Sequence, residues 1–194
     1  MIDRANRRKA LGTLGALGTL GGLGGLSTLT GCDSIARLPI RVPDAPFVVT
    51  KEEVVEGMLR LANVGPNDVV YDLGCGDGRI PIMAAQKFGA RGVGVELDTV
   101  LLKLARENAV KAGVADRVEF RLEDLFKTDV RPATVMALFL LPEMMERLKF
   151  TFREQLRPGA RIVAHEFMMG GDWPPDRTVK VGSATVHLWT VKPR

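Results

Sequence analysis

Residues 69–82 read VVYDLGCGDGRIPI, which combines a short strand, a glycine-rich loop and the start of a helix. The strand is the apolar run VVYDL, and the loop places Gly74, Gly76 and Gly78 at alternate positions. Glycine lets the backbone turn sharply and lets a ligand approach it closely. Unpaired N–H groups at the start of the following helix can also bind a ligand. The stretch therefore predicts a strand–loop–helix unit that holds a ligand at its loop.

Strands and helices alternate on both sides of this unit. The spacing of apolar residues predicts helices at 51–63, 80–88, 100–112 and 143–156, and further strands at 92–96, 117–121, 134–141 and 161–167. Strands connected by helices form right-handed crossovers in a mainly parallel sheet. Two more strand-like runs, 178–181 and 185–191, are close enough in sequence to predict an antiparallel hairpin. A capping box, with Thr50 as N-cap and Glu53 three residues later, predicts the start of the first helix.

The first 31 residues differ in composition from the rest of the chain. A basic cluster, RRK at 7–9, precedes a run without charged residues from 10 to 32. This order is typical of an export signal, and its low hydrophobicity behind paired arginines resembles a twin-arginine leader. The run ends in LTGC at 29–32, which resembles a bacterial lipobox whose cysteine, Cys32, carries a lipid anchor.

These features predict a leader over 1–31, a proline-containing linker over 32–49 and one domain over 50–194. We expect the mature protein in the bacterial cell envelope, anchored to the membrane through Cys32 and facing away from the cytoplasm. Two alternatives stay open. The leader could remain as an uncleaved membrane segment, or the protein is cytoplasmic because the leader is not used.

Charge and residue usage exclude several kinds of site. Most of the net charge of +4 belongs to residues 1–31, so the remaining chain is close to neutral and lacks the basic excess of a nucleic-acid-binding surface. The two histidines, His165 and His187, do not form a Cys/His cluster, so no metal site is predicted. We expect no nucleic-acid partner, and a monomer is favoured.

The loop does not match a dinucleotide-binding fingerprint. Such a loop would have glycine at position 79, where this sequence has Arg79. The spacing is instead Asp72-x-Gly-x-Gly-x-Gly78. Glu96, at the end of the second predicted strand, can accept hydrogen bonds from two ribose hydroxyls, which would serve NAD and other nucleoside cofactors equally.

The motif from Asp72 to Gly78 resembles the first motif of class I methyltransferases that depend on S-adenosyl-L-methionine. Further similar segments are Pro46-Phe47, GVGVE at 92–96, Asp124-Leu-Phe126 and Leu140-Leu-Pro142. They resemble the small protein-lysine methyltransferases that include the mitochondrial ATP-synthase c-subunit enzyme. The resemblance implies S-adenosyl-L-methionine as cofactor. It also implies an α/β, Rossmann-like, doubly wound sheet of seven strands in the order 3-2-1-4-5-7-6, mainly parallel with an antiparallel C-terminal hairpin.

The resemblance also implies the residues of the site. The cofactor would be bound by the loop after the first strand, by Glu96 and by the segment after the third strand: Asp72, Gly74, Cys75, Gly76, Gly78, Glu96, Asp124 and Leu125. The lip for the methyl acceptor would be Leu140, Leu141 and Pro142, with His165 as the candidate proton acceptor.

The apolar lip favours the methylene stem of a lysine over a planar nitrogen, because it lacks a polar Asn- or Asp-Pro-Pro motif. We therefore expect an enzyme that N-methylates a protein lysine. Two alternatives are a small-molecule methyltransferase and a non-catalytic membrane-anchored protein with the same fold.

Overall fold

The structure is a computed structural model that describes residues 48–193. The predicted leader, the lipobox with Cys32 and all but the last two residues of the predicted linker lie outside the described residues. Between residues 48 and 193, no helix combines the length and the apolar composition needed to cross a membrane.

The described residues form four helices and seven strands. The helices are α1 (Glu52–Leu61), α2 (Arg79–Phe88), α3 (Thr99–Lys111) and α4 (Pro142–Gln155). The strands are β1 (Val69–Leu73), β2 (Arg91–Glu96), β3 (Val118–Leu122), β4 (Val135–Leu138), β5 (Arg161–His165), β6 (Arg177–Val181) and β7 (Ala184–Thr190).

The strands form one sheet in the order β3-β2-β1-β4-β5-β7-β6. Neighbours from β3 to β5 are parallel, whereas β7 is antiparallel to both β5 and β6. This confirms the predicted fold class, strand order and C-terminal hairpin. The order reverses between β1 and β4, and ligands of such sheets bind outside the carboxyl ends of the strands at this point.

Both faces of the sheet are covered, as β4 illustrates. Met136 and Leu138 pack into the cluster that contains the apolar residues of α4. Val135 and Ala137 point to the opposite face and pack with α1 and α2. All four side chains are fully buried, which explains why this strand is a continuous apolar run rather than an alternating one.

Two predictions about element ends are wrong. Thr50 is not the N-cap of α1, because Lys51 occupies that position without a side-chain cap and Thr50 is buried. The strands β4 and β5 end at Leu138 and His165, earlier than predicted. Their last predicted residues leave the sheet: Pro142 starts α4 directly afterwards, and Glu166 has a positive φ of 62°.

A polar cluster joins the opposite edge of the sheet to α1. The Arg161 guanidinium donates to the carbonyl oxygens of Ala62 at 2.8 Å and Asn63 at 3.0 Å, and also to the Asp68 carboxylate. Asp68 further accepts from the Thr134 hydroxyl at 2.6 Å. The cluster therefore fixes the end of α1 against β5.

We expect Asp68→Asn to lower the free energy of unfolding by about 1–3 kcal/mol at pH 7, since it removes an acceptor of charge-assisted hydrogen bonds. Burial raises the pKa of Asp68, but the Thr134 hydroxyl, the Gly65 amide and Arg161 outweigh it and hold the pKa below its ordinary value. The stabilisation by the Asp68 carboxylate is therefore fully present above the pKa that Asp68 has in the unfolded chain. It is lost as the pH falls through the pKa that Asp68 has in the folded protein.

Denaturant unfolding at pH 7 and at pH 3 measures this difference. The exposed Asp116→Asn in the turn before β3 is the matched control. An equal destabilisation at both pH values would contradict the prediction.

Candidate functional site

A cleft of about 670 Å³ opens at the carboxyl ends of the parallel strands. Most of its lining comes from the segments that follow β1, β2, β3 and β4. It comprises Val48, Thr50, Asp72, Gly74, Cys75, Asp77, Arg79, Ile80, Val95, Glu96, Leu97, Asp98, Leu101, Glu123, Asp124, Leu125, Phe126, Phe139, Leu140, Leu141, Met144 and Phe167.

The structure brings most of the predicted site residues together in this cleft. They are Asp72, Gly74, Cys75, Glu96, Asp124, Leu125, Leu140 and Leu141. Gly76, Gly78, Pro142 and His165 lie next to the cleft without lining it. The cleft is also lined by Thr50, Arg79, Phe139 and Phe167, which were not predicted as site residues. Nothing in the local sequence patterns around them separates cleft-lining from core or surface positions.

The glycine loop is bonded to the end of β2. The N–H groups of Gly74 and Cys75 both donate to the carbonyl oxygen of Val95, at 2.8 and 2.9 Å. Gly74, Gly76 and Gly78 all have positive φ, which glycine adopts without strain. The loop therefore exposes its backbone to the cleft.

Gly78 allows close packing at the start of α2. A β-carbon at this position would lie 2.6 Å from the Phe120 ring and 2.9 Å from the Ala105 β-carbon. Its absence lets the start of α2 lie against β3 and α3.

The Glu96 carboxylate is held by three backbone N–H groups. Gly76 donates to Oε2 at 3.0 Å, while Leu97 and Asp98 donate to Oε1 at 2.8 and 3.0 Å. A carboxylate has about four acceptor sites, so capacity remains for a ligand hydroxyl. Glu96 thus fixes the glycine loop and also faces the cleft.

Asp72 is the buried carboxylate of the site, with 3% of its surface exposed. No residue between 48 and 193 donates a hydrogen bond to its side chain. Burial, followed by the negative charges of Glu96 and Asp77, raises the pKa of Asp72 well above its ordinary value. A cation placed beside this group would be stabilised and would favour its ionised form.

Arg79 connects the loop to the chain before α1. Its Nε donates to Asp77 Oδ1 at 2.9 Å, and its Nη1 donates to the carbonyl oxygen of Thr50 at 2.8 Å. The residue that breaks the dinucleotide fingerprint therefore has a structural function at the site.

The segment after β3 is folded back on itself and held by α4. Asp124 Oδ1 accepts from the Phe126 N–H at 3.0 Å, and the Thr128 hydroxyl donates to the Asp124 carbonyl at 3.1 Å. The Arg147 guanidinium of α4 lies 3.6 Å from the centre of the Phe126 ring, a cation–π contact. Both Asp124 and Leu125 are thereby fixed at the cleft.

Comparison with known proteins agrees with this geometry. Residues 72–177 match the ANTKMT methyltransferase domain. A Saccharolobus islandicus protein-lysine N-methyltransferase is 42% identical over 155 residues, which are 77% of this chain and 96% of that protein. The mouse ATP synthase c-subunit lysine N-methyltransferase is 36% identical over 74% of this chain, which spans 57% of the mouse protein.

The chain belongs to the ANTKMT methyltransferase domain family. Among solved structures, one described as an RNA methyltransferase from Salinibacter ruber in complex with S-adenosyl-L-homocysteine is 53% identical, with a TM-score of 0.74. The match covers 76% of this chain and 95% of the Salinibacter ruber chain. The resemblance inferred from the motifs is confirmed: the protein is a class I methyltransferase that uses S-adenosyl-L-methionine.

The cleft of this methyltransferase fits its cofactor. Gly74 and Cys75 of the glycine loop line the cleft, and Gly74 presents no side chain there. The buried Asp72 carboxylate suits a ligand that carries positive charge. Among the described residues, no three His, Cys, Asp or Glu side chains form a group that could hold a metal.

The part of the methyltransferase cleft beside α4 is apolar. We call Phe139, Leu140, Leu141, Met144 and Phe167 the apolar end of the cleft. The rings of Phe139 and Phe167 are nearly parallel, at 11°, with centres 6.2 Å apart. The His165 ring lies behind Phe139, 4.1 Å from its centre.

We expect Glu96→Gln to weaken binding of S-adenosyl-L-homocysteine by about tenfold or more. The amide replaces one acceptor oxygen by a donor and leaves a loop N–H unsatisfied, and hydrogen bonds to charged groups are worth about 1.5–3 kcal/mol. Calorimetric titration measures the affinity, with the exposed Glu107→Gln on α3 as control. Unchanged affinity in a folded variant would show that Glu96 does not act by fixing the loop.

Proposed function

We propose that this protein transfers a methyl group from S-adenosyl-L-methionine to the side-chain nitrogen of a protein lysine. The observation that carries the proposal is the apolar end of the cleft, where the acceptor must enter to meet the cofactor. Aliphatic and aromatic side chains there suit the four-carbon stem of lysine. Support also comes from relatives such as the Saccharolobus islandicus protein, which is named as a protein-lysine N-methyltransferase.

The carboxylates of the cleft are assigned to the cofactor. Asp72 would face the positively charged methionine portion, Glu96 would accept hydrogen bonds from the ribose hydroxyls, and Asp124 with Leu125 would contact the adenine. When bound, S-adenosyl-L-methionine supplies a methyl group that is activated by its positively charged sulfur. Six carboxylates and one guanidinium line the cleft, which favours a cationic ligand.

The apolar end of the cleft favours the neutral form of the acceptor amine. An ammonium has no lone pair, so lysine must lose a proton before its nitrogen can form a bond to carbon. Apolar surroundings disfavour the charged form and lower the amine pKa. Holding the two reactants in line then supplies much of the catalysis.

Incubating the purified protein with labelled S-adenosyl-L-methionine and fractionated extract of its own cell tests the acceptor. We expect label in lysines of one or a few proteins, with incorporation rising with pH. Leu141→Asn should reduce incorporation several-fold, because it replaces a partly buried apolar side chain of the cleft with a polar one. The partly exposed Leu104→Asn on α3 is the matched control. Label confined to small molecules would establish a small-molecule acceptor instead.

RNA is the second candidate acceptor, since the 53% identical Salinibacter ruber structure is described as an RNA methyltransferase. The carboxylates around the cleft argue against it, because phosphate groups require a positive surface. Label in the RNA fraction of the same extract, at a level above that in protein lysines, would reverse the assignment.

We further propose that the domain is anchored to the cell envelope through a lipid on Cys32. Support comes from the sequence alone: the basic cluster at 7–9, the uncharged run to residue 32 and the LTGC motif. The residues concerned lie outside the described part of the chain.

Expression of the full chain tests the anchor by cell fractionation. The wild type should sediment with membranes, and Cys32→Ser should release it into the soluble fraction. Cys75→Ser is the control, because the Cys75 thiol is buried in the glycine loop. A wild type found in the cytosol would refute the anchor and support the alternative in which the leader is not used.

A further inference from the structure

We propose that Thr50, His165 and Glu166 form a proton relay for the methyl acceptor, with the Thr50 hydroxyl as the group that contacts the acceptor nitrogen. The relay rests on the proposed lysine acceptor, which must be deprotonated before methyl transfer. His165 then acts through Thr50 rather than by direct contact, since the ring itself does not line the cleft.

Thr50 is placed for this contact. Within the described part of the chain, it is the single residue of the cleft lining that carries a hydroxyl group. Its exposed fraction is 4%, and its Oγ1 lies 3.4 Å from His165 Nδ1. Such distances are commonly long in ligand-free sites and shorten with substrate. The Arg79 bond to the Thr50 carbonyl ties the hydroxyl to the same loop that binds the cofactor.

The surroundings of His165 leave Nδ1 free to accept a proton from Thr50. Its Nε2 lies 3.8 Å from Glu166 Oε1, on the side where the relay requires the imidazole proton. Burial lowers the pKa of His165, and the Glu166 charge opposes this only in part. This direction favours the neutral imidazole, which is the form that can accept a proton.

Glu166 is held in a conformation that side chains rarely adopt. Its φ of 62° lies in the left-handed region, which residues other than glycine rarely adopt and which persists where the surrounding structure imposes it. Backbone N–H donation from Thr185 to Oε1 at 2.8 Å lowers the pKa of Glu166 and fixes its carboxylate. His187 Nε2 lies 3.3 Å from the Glu166 carbonyl oxygen. The positive charge of Lys180 also lowers the pKa of Glu166.

The proton balance of the relay is complete. The acceptor ammonium gives one proton to Thr50 Oγ1 while the Thr50 hydroxyl proton passes to His165 Nδ1. The amine becomes neutral, the hydroxyl is regenerated and the imidazole becomes imidazolium, which the Glu166 carboxylate stabilises. The amine lone pair then forms the carbon–nitrogen bond as the carbon–sulfur bond breaks.

Replacing the hydroxyl tests the relay in the full-length enzyme. Thr50→Val keeps the shape of the side chain and should lower kcat about a hundredfold, with the affinity for S-adenosyl-L-homocysteine unchanged. Its pH–rate profile should shift upward toward the pKa of a free lysine, about 10.4. Thr50→Ser should restore most of the activity. His165→Asn should give the same profile, and the double variant should lose little more than either alone.

Thr178→Val is the matched control, since Thr178 makes the equivalent contact with His187, 2.9 Å from Oγ1 to Nδ1, away from the cleft. Its pH–rate profile should equal that of the wild type. A Thr50→Val enzyme with wild-type kcat and pH profile would overturn the relay. So would a Thr50→Ser enzyme as impaired as Thr50→Val.

A second measurement does not depend on the acceptor. Nitrogen-15 NMR of the full-length protein should show His165 with the proton on Nε2 and with a pKa below that of a free histidine. A proton on Nδ1 would overturn the relay whatever is methylated. If instead the NMR result holds and no lysine is labelled by the wild type, the proposed acceptor fails while the Thr50–His165–Glu166 arrangement stands.

Discussion

The backbone bonds between the glycine loop and the end of β2 set the shape of the cleft. Gly74 and Cys75 share the Val95 carbonyl, and Gly76 donates to the Glu96 side chain. The loop can lie this close to β2 because Gly94 has no β-carbon, which would stand 2.7 Å from the Cys75 sulfur. Loop, strand end and carboxylate consequently form one rigid unit, in which each part fixes the others.

Arg79 extends this unit to the other side of the cleft. By binding Asp77 of the loop and the Thr50 carbonyl, it ties the chain before α1 to the glycine loop. A methyl transfer gains most of its rate from the relative position of donor and acceptor. The Arg79 guanidinium therefore fixes the position of the chain before α1 relative to the glycine loop. It can do so without contacting the cofactor or the methyl acceptor.

The helices and strands could be predicted from the sequence because apolar spacing is a local signal, whereas the order of the strands in the sheet was implied by the resemblance to class I methyltransferases. Parallel strands bring their carboxyl ends to one edge. This is why Asp72, Glu96 and Asp124 line one cleft. Contacts between distant segments could not be predicted: Thr50 and His165 are 115 residues apart. Thr50 also fits the local pattern of an N-cap, so a tertiary contact replaced the expected local one.

The apolar runs of β4 and β5 extend beyond the ends of the two strands, so hydrophobicity predicted those ends incorrectly. Phe139 and Phe167 continue the apolar pattern of their strands, yet they follow the ends of β4 and β5 and line the cleft. Likewise, Gly74 and Gly78 look equivalent in the motif. Gly74 lines the cleft, whereas Gly78 makes room for Phe120.

The distribution of charge follows the order of the strands. All six carboxylates of the cleft come from the side of β1, β2 and β3, whereas the side of β4 and β5 supplies the apolar end. A carboxylate beside the proposed lysine would hold it in the ammonium form and prevent attack. The cofactor has the opposite need, because its positive charge is stabilised by nearby carboxylates. Separating the two environments within one cleft would let a cation and a neutral amine be held side by side. The proposed base, His165, packs against Phe139 and so belongs to the apolar side of the cleft.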